Sequence, residues 1–239
     1  MKKTFLAAAA LFALATPTMA ADMAARPMYT KAPPLAAVSN WNGWYVGGNV
    51  GAVYADWDRS GFYDTFAVSD HYNDWGATAG GQIGYNWQFS PTALFGIETD
   101  LNWMNVGKFF NNAAGFSGGA PNDPTSTQSY KNNWVGTTRA RLGWVNGMSL
   151  WYVTGGVAYG NTKVFINDSG TNLGTIEKTS VGWTAGAGYE AFFATNWTWK
   201  VEYLYIDLGK VQFDHQPPAF TISERTTESL IRLGVNYKF

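Results

Sequence analysis

The ten residues from Leu230 to Phe239 read L-I-R-L-G-V-N-Y-K-F, and their two parities differ. Ile231, Leu233, Val235, Tyr237 and Phe239 form a wholly apolar set. Leu230, Arg232, Gly234, Asn236 and Lys238 form a mixed and polar one. Strict alternation is the period of a β-strand with two unlike faces. An apolar face that ends on an aromatic residue suits the lipid-facing side of a transmembrane β-barrel.

The start of the chain agrees with export. Lys2 and Lys3 precede an apolar run from Phe5 to Ala15, and Thr18-Met19-Ala20 places small residues at −3 and −1. This reads as a cleaved secretory signal over 1–20, since the run is shorter than the ~20 residues of a spanning helix. Residues 21–40 carry Pro27, Pro33 and Pro34 among alanines and read as an extended periplasmic linker. The barrel is then expected over 41–239. No other stretch approaches ~18 uninterrupted apolar residues, so no transmembrane helix is expected.

Composition narrows the function classes. The chain has no cysteine, which removes disulfide and thiolate chemistry. Without Lys2 and Lys3, fourteen basic residues face seventeen acidic ones, a balance unsuited to nucleic acid. Aromatic residues make up 17% and charged residues 14%, the latter well under the ~25% of ordinary soluble domains.

Alternation divides the chain into eight segments near 44–56, 75–89, 92–107, 130–145, 149–163, 177–193, 196–211 and 227–239. These lengths cover the ~9–11 residues a tilted strand needs to cross a bilayer. Short connections (Ser90-Pro91, Asn146-Gly147-Met148, Ala194-Thr195) alternate with long ones at 57–74, 108–129, 164–176 and 212–226. The fold expected is all-β: an eight-stranded antiparallel up-and-down transmembrane barrel with short periplasmic turns and four long extracellular loops. The competing architecture, a soluble sandwich or lipocalin-like barrel, would turn its large apolar residues inward. Here Trp44, Trp87, Trp144, Trp151 and Trp197 fall near one end of the apolar face, and Trp103, Trp134 and Trp183 near the other. Two outward belts suit the headgroup levels of a membrane and would be a solubility liability in water.

The polar parity predicts the content of the lumen. Glu98, Asp100, Arg139, Arg141, Lys200, Glu202 and Arg232 point inward, and in an interior just wide enough for side chains they must pair. Such a network reads as polar filling that fixes register and blocks flow. The alternative is a narrow ion path, with Gly47, Gly80, Gly84, Gly186, Gly188 and Gly234 leaving gaps for water. In the seventh strand Leu204, Ile206 and Leu208 blur the alternation, as a bulge would.

Catalysis has little support. His71 and His215 sit in expected outer loops beside Asp70 and Asp214, with no serine or metal-ligand spacing to complete a site. The paired glycines lie inside strands and are not phosphate loops. No cofactor is expected. Phe109, Phe110 and Phe116 in the 108–129 loop could anchor a surface ligand or pack over the barrel mouth.

Asn40–Gly51 (N-W-N-G-W-Y-V-G-G-N-V-G), Gly182–Glu190 (G-W-T-A-G-A-G-Y-E), Asn196–Gly209 (N-W-T-W-K-V-E-Y-L-Y-I-D-L-G) and Arg232–Phe239 (R-L-G-V-N-Y-K-F) together resemble the alphaproteobacterial outer-membrane β-barrel proteins of the porin, or outer-membrane immunogenic protein, family. The resemblance covers nearly all of 40–239 and is strongest in the last three strands. It implies a barrel akin to the OmpA transmembrane domain, residence in the outer membrane, envelope integrity and exposure to hosts. It implies little about transport. It further implies that Tyr237 and Phe239 form a signal read by the barrel assembly machinery. The partners implied are outer-membrane lipid, lipopolysaccharide, and host or surface ligands meeting the four outer loops.

Overall fold

The computed structural model describes residues 40–63, 66–111, 127–168, 171–215 and 220–239. The proposed signal and all of the linker but Asn40 lie outside the described residues, as does Phe116. Eight strands follow in chain order: β1 (Gly43–Tyr63), β2 (Phe66–Ser90), β3 (Ala93–Asn111), β4 (Thr127–Asn146), β5 (Ser149–Asp168), β6 (Thr171–Ala194), β7 (Trp197–His215) and β8 (Phe220–Lys238). Each pairs antiparallel with its chain neighbour, and β1 pairs with β8 as well as β2, so the sheet closes on itself. Closure is what lets so much backbone enter a bilayer, because no strand is left with an unpaired edge.

At the periplasmic end the hairpins are tight. Gly147 takes φ +59°, the left-handed region that a two-residue turn requires and glycine adopts without strain. Backbone bonds from Phe239 N to Trp44 O and from Lys238 N to Asn196 O tie the last residues into this rim.

At the other end the structure corrects the sequence reading. Most of 57–74, 164–176 and 212–226 continues as strand. Pairing of β1 with β2 runs without a break from Gly43↔Asn86 to Tyr63↔Phe66. Gly, Asn, Asp and Ser in these stretches suggest loops, but each strand has a bonded neighbour on both sides, and the ladder overrides weak local propensity. The strands span 19 to 25 residues, about twice what a bilayer needs, so the outer hairpins stand beyond it.

The outer wall carries the two aromatic belts. Trp44, Trp87, Trp144, Trp151 and Trp197 are exposed near the periplasmic end; Trp75, Trp103 and Trp183 are exposed near the other. Trp134 is half-buried, its ring against Tyr159. On β8 the stretch between the belts is short. Tyr237 pairs with Trp197 below, and Ser229 pairs with Tyr54 and Tyr205 above, so about nine residues cross the apolar layer.

Candidate functional site: the barrel lumen

Three layers fill the interior. The lowest is apolar and aromatic: Trp41, Leu94, Val145, Leu150 and Tyr152 are buried together, with Phe192 against them. Trp41 precedes β1 yet turns inward. Its indole Nε1 donates to Gly147 O at 3.2 Å, its ring meets Phe192 at 4.5 Å, and Lys238 Nζ donates to its carbonyl at 3.0 Å. Nothing in the local alternation marks Trp41 as lumenal, because it lies outside a strand.

The middle layer is charged. Arg139 on β4 reaches Glu98 at 2.5 Å and Asp100 at 2.8 Å on the adjacent β3, and Glu202 on β7 at 3.0 Å. Arg232 bridges Asp100 and Glu202. Lys200 donates to both oxygens of Glu98 at 3.0 Å. Arg141 meets Glu190 at 2.7 Å and Glu98 at 3.4 Å. The seven residues singled out by parity thus meet in one network, joined by Glu190: four carboxylates facing four cations. Their side chains are almost wholly withdrawn from solvent. Balanced charge matters here, because an unpaired ion at this depth costs several kcal/mol.

Two tyrosines complete this layer, and the alternation of β1 and β5 contains them although polarity alone does not single them out. Tyr45 donates to Glu98 Oε2 at 2.8 Å and accepts from Arg141 at 2.7 Å. Tyr152 donates to Glu202 at 3.0 Å and stacks under the Arg141 guanidinium at 4.0 Å. Both point over inward glycines. A methyl group at Gly84 would strike the Tyr45 hydroxyl, and one at Gly188 the Tyr152 hydroxyl. At Gly47 it would strike Asn236 and Gln82, at Gly80 Asn102 and at Gly186 Leu204, and at Gly234 it would press closely on the Lys200 side chain. The expectation of water-filled gaps is therefore corrected: the glycines make room for larger neighbours.

The upper layer is apolar again. Val53, Ala55, Trp57, Met104, Val106, Val135, Ala158, Leu204, Ile206, Leu208 and Leu230 are buried as one cluster. Leu204 and Ile206 thus keep the inward parity of β7. The bulge comes later, between Asp207 and Lys210, where Gly209 takes φ +74° and Asp207 accepts the Gly209 amide at 2.8 Å. A hollow of about 670 Å³ lies on the lipid-facing wall between Trp144, Trp151, Val153 and Tyr203.

Above the upper belt, the outer wall is polar. Lys210, Arg225, Asp58 and His71 stand in one cross-strand row. His71 Nδ1 lies 2.7 Å from Asp58 and 3.4 Å from Asp56, and the bond to Asp58 holds its imidazole above the usual histidine range. The described partners of His71 are thus on β1, and the Asp70 side chain lies outside the described residues. Asp56, Asp58 and His71 have the donor types of a metal site, but in this structure the imidazole and carboxylates already bond to one another. Ser60, Ser69 and Ser223 line a hollow together with Asp58, His71, Lys210 and Arg225, and among the described residues no hydroxyl bonds the ring. The His215 side chain and those of Phe109 and Phe110 lie outside the described residues.

Comparison with known proteins agrees with this architecture. A family model described as an outer membrane protein beta-barrel domain matches residues 6–239. The 31 kDa outer-membrane immunogenic protein of Brucella melitensis is 39% identical over 254 residues, covering all of both chains. The 22 kDa outer membrane protein of Rhizobium leguminosarum bv. viciae is 31% identical over 86% of this chain and 82% of its own. Among solved structures, the outer membrane protein OprG of Pseudomonas aeruginosa is 12% identical with a TM-score of 0.49, over 84% of this chain and 99% of that one. The relatives' names describe outer-membrane and immunogenic proteins and no reaction. With an alternating closed sheet, two aromatic belts and a family match over nearly the whole length, the chain belongs to the outer-membrane β-barrel family and is an integral, surface-exposed protein of the cell outer membrane.

Proposed function

We propose that this barrel is a sealed structural element of the envelope, without catalytic activity. It stiffens the outer membrane and presents its outer hairpins to lipopolysaccharide and to host or surface molecules. The observation that carries the reading is the layered lumen: an ion-pair network held between two apolar layers. A small-solute porin needs a continuous water path, and packed leucine, isoleucine and tryptophan oppose one. Single-channel recording on the purified, refolded protein tests this. Silence from a barrel shown to be folded by its heat-modifiable gel migration supports the sealed reading; discrete steps at neutral pH overturn it in favour of a porin.

The lipopolysaccharide contact is supported by exposed Lys131, Lys210 and Arg225 above the upper belt, where anionic headgroups would meet them. Lipopolysaccharide should raise the unfolding midpoint of the wild type more than that of a Lys131→Glu, Lys210→Glu variant. Contact with host or surface ligands would run through 57–74, 108–129, 164–176 and 212–226. Recognition by the assembly machinery would rest on Tyr237 and Phe239; Phe239 is exposed and its ring meets Tyr237 edge-on at 5.3 Å.

A further inference from the structure

Glu228 is a carboxyl group buried in an apolar setting without a cation. It points inward from β8 just above the stretch between the aromatic belts, and its cross-strand neighbours are Ala55 on β1 and Ile206 on β7. Its one described partner comes from the far side of the barrel. Asn132 on β4 donates through Nδ2 to Glu228 Oε1 at 2.7 Å. In an eight-stranded ring β4 and β8 lie opposite each other, so this bond crosses the lumen.

Two atoms of the pair have no partner: Glu228 Oε2 and Asn132 Oδ1. Both residues are almost wholly buried, and both atoms are acceptors when the carboxyl is ionised. Two orphaned acceptors beside a bonded edge leave one hydrogen missing. We propose that Glu228 carries a proton on Oε2 at neutral pH and donates it to Asn132 Oδ1, closing a two-bond acid–amide ring that acts as a proton-held latch across the upper lumen. The proton comes from bulk water and forms the Oε2–H bond; no other covalent bond of the chain changes.

Among the described residues no cation bonds Glu228. Below, Arg232 bonds Asp100 and Glu202 through Nη2, while its buried Nε and Nη1 have no partner and make no bond to Glu228. Above, Arg59 on β1 stands beside Glu224 and donates to Tyr72 on β2. Followed through Ala55, the row of Glu228 reaches Asp74 on β2, which adds no positive charge; followed through Ile206, Thr184 and Gly156 it reaches Arg139 on β4, which is bonded to Glu98, Asp100 and Glu202. Asp207, next to Ile206 on β7, is bonded to Arg225 at 2.5 Å. The buried residues of β3, β5 and β6 nearby are Met104, Val106, Thr162 and Ser180; Lys178, in the row of Asn132 and Thr162, is exposed and donates to Gln212 O at 3.0 Å.

A proton bound in the folded barrel and released in the unfolded chain makes stability fall as pH rises. Ionisation would also break one ring bond and leave a lone carboxylate in the apolar layer, which water must then enter. The latch rests on the sealed-lumen reading only for this consequence.

The test is infrared difference spectroscopy of the refolded barrel at pH 7, wild type minus Glu228→Gln. The glutamine amide can make both ring bonds, so this variant should fold. The expected result is a protonated-carboxyl C=O stretch present in the wild type, absent in E228Q and titrating away as pH rises. No such band at pH 7 overturns the proposal, including the case in which a cation bridges the two oxygens. The unfolding midpoint of the wild type should fall further than that of E228Q over the pH range in which the band disappears, and a band that titrates away with equal falls in both overturns the latch. In planar bilayers both proteins should stay silent, because the charged and lower apolar layers still close the lumen. Steps at pH 7 in both proteins would overturn the sealed-lumen reading instead, with the infrared band still deciding the proton.

Discussion

Side chains in the lumen divide sharply by what their loss would leave behind. Arg139 bonds three carboxylates, so Arg139→Ala leaves one buried negative charge in excess and should destabilise by about 3–5 kcal/mol. Tyr45→Phe removes one hydroxyl shared by Glu98 and Arg141 and should cost about 1–3 kcal/mol. Urea midpoints of the refolded proteins, read by gel mobility, would rank the two. Glu224, higher on β8 and beyond the membrane, is pushed up to about 7 by burial, with Arg59 opposing. Its ordinary value is 4.5, so the folded state holds its proton more tightly and stability drains away as pH rises from about 4.5 to about 7. Glu224→Gln should remove that part of the pH dependence, at most about 3 kcal/mol, while leaving any contribution of Glu228 in place.

A strand in this barrel has two environments, and two glycines on the paired strands β1 and β2 show the difference. Gly84 faces inward under the Tyr45 ring, whereas Gly48 faces lipid with its nearest neighbour, the Gly80 carbonyl, at 3.7 Å from an added methyl carbon. Gly84→Ala should therefore destabilise by about 1–3 kcal/mol through overpacking. Gly48→Ala should be neutral or slightly stabilising, because it lowers the entropy of the unfolded chain without a clash. Equal losses in the two variants would show that the pairing of Gly84 with Tyr45 contributes nothing. The strands themselves were readable where apolar and polar residues alternate, as in β3 and β8. Above the upper belt the pattern inverts: on β1 the inward Ala55 and Trp57 alternate with the outward Asp56 and Asp58, and a polar outer face no longer matches the lipid-facing signal.

For the molecule as a whole, closure and layering are the properties to test. The unheated protein should migrate faster in SDS gels than the boiled one, as a barrel that stays folded in detergent would. Deletion of Phe239 should lower the amount of folded protein in the outer membrane, measured by surface labelling; normal levels would remove the assembly role. Trp57→Ala with Leu204→Ala should open the upper layer by cavity formation, at a cost of several kcal/mol, yet leave the charge layer below as a second barrier to conduction.

Residue order alone settled the residence of this chain, its strand count and the inward set of Glu98, Asp100, Arg139, Arg141, Lys200, Glu202 and Arg232, because a period of two assigns each residue to a face wherever lipid demands an apolar one. It could not settle partners across the lumen. Glu98 with Lys200, Arg141 with Glu190 and Asn132 with Glu228 lie 102, 49 and 96 residues apart. Only the ring closure of β1 on β8, with the shared register of all eight strands, brings these groups to one height. The tertiary structure likewise decided that Trp41 turns into the mouth and that the inward glycines are covered by tyrosines, leucine and lysine. Filling a lumen is a matter of volume and distance between opposite walls, and alternation along one strand encodes neither.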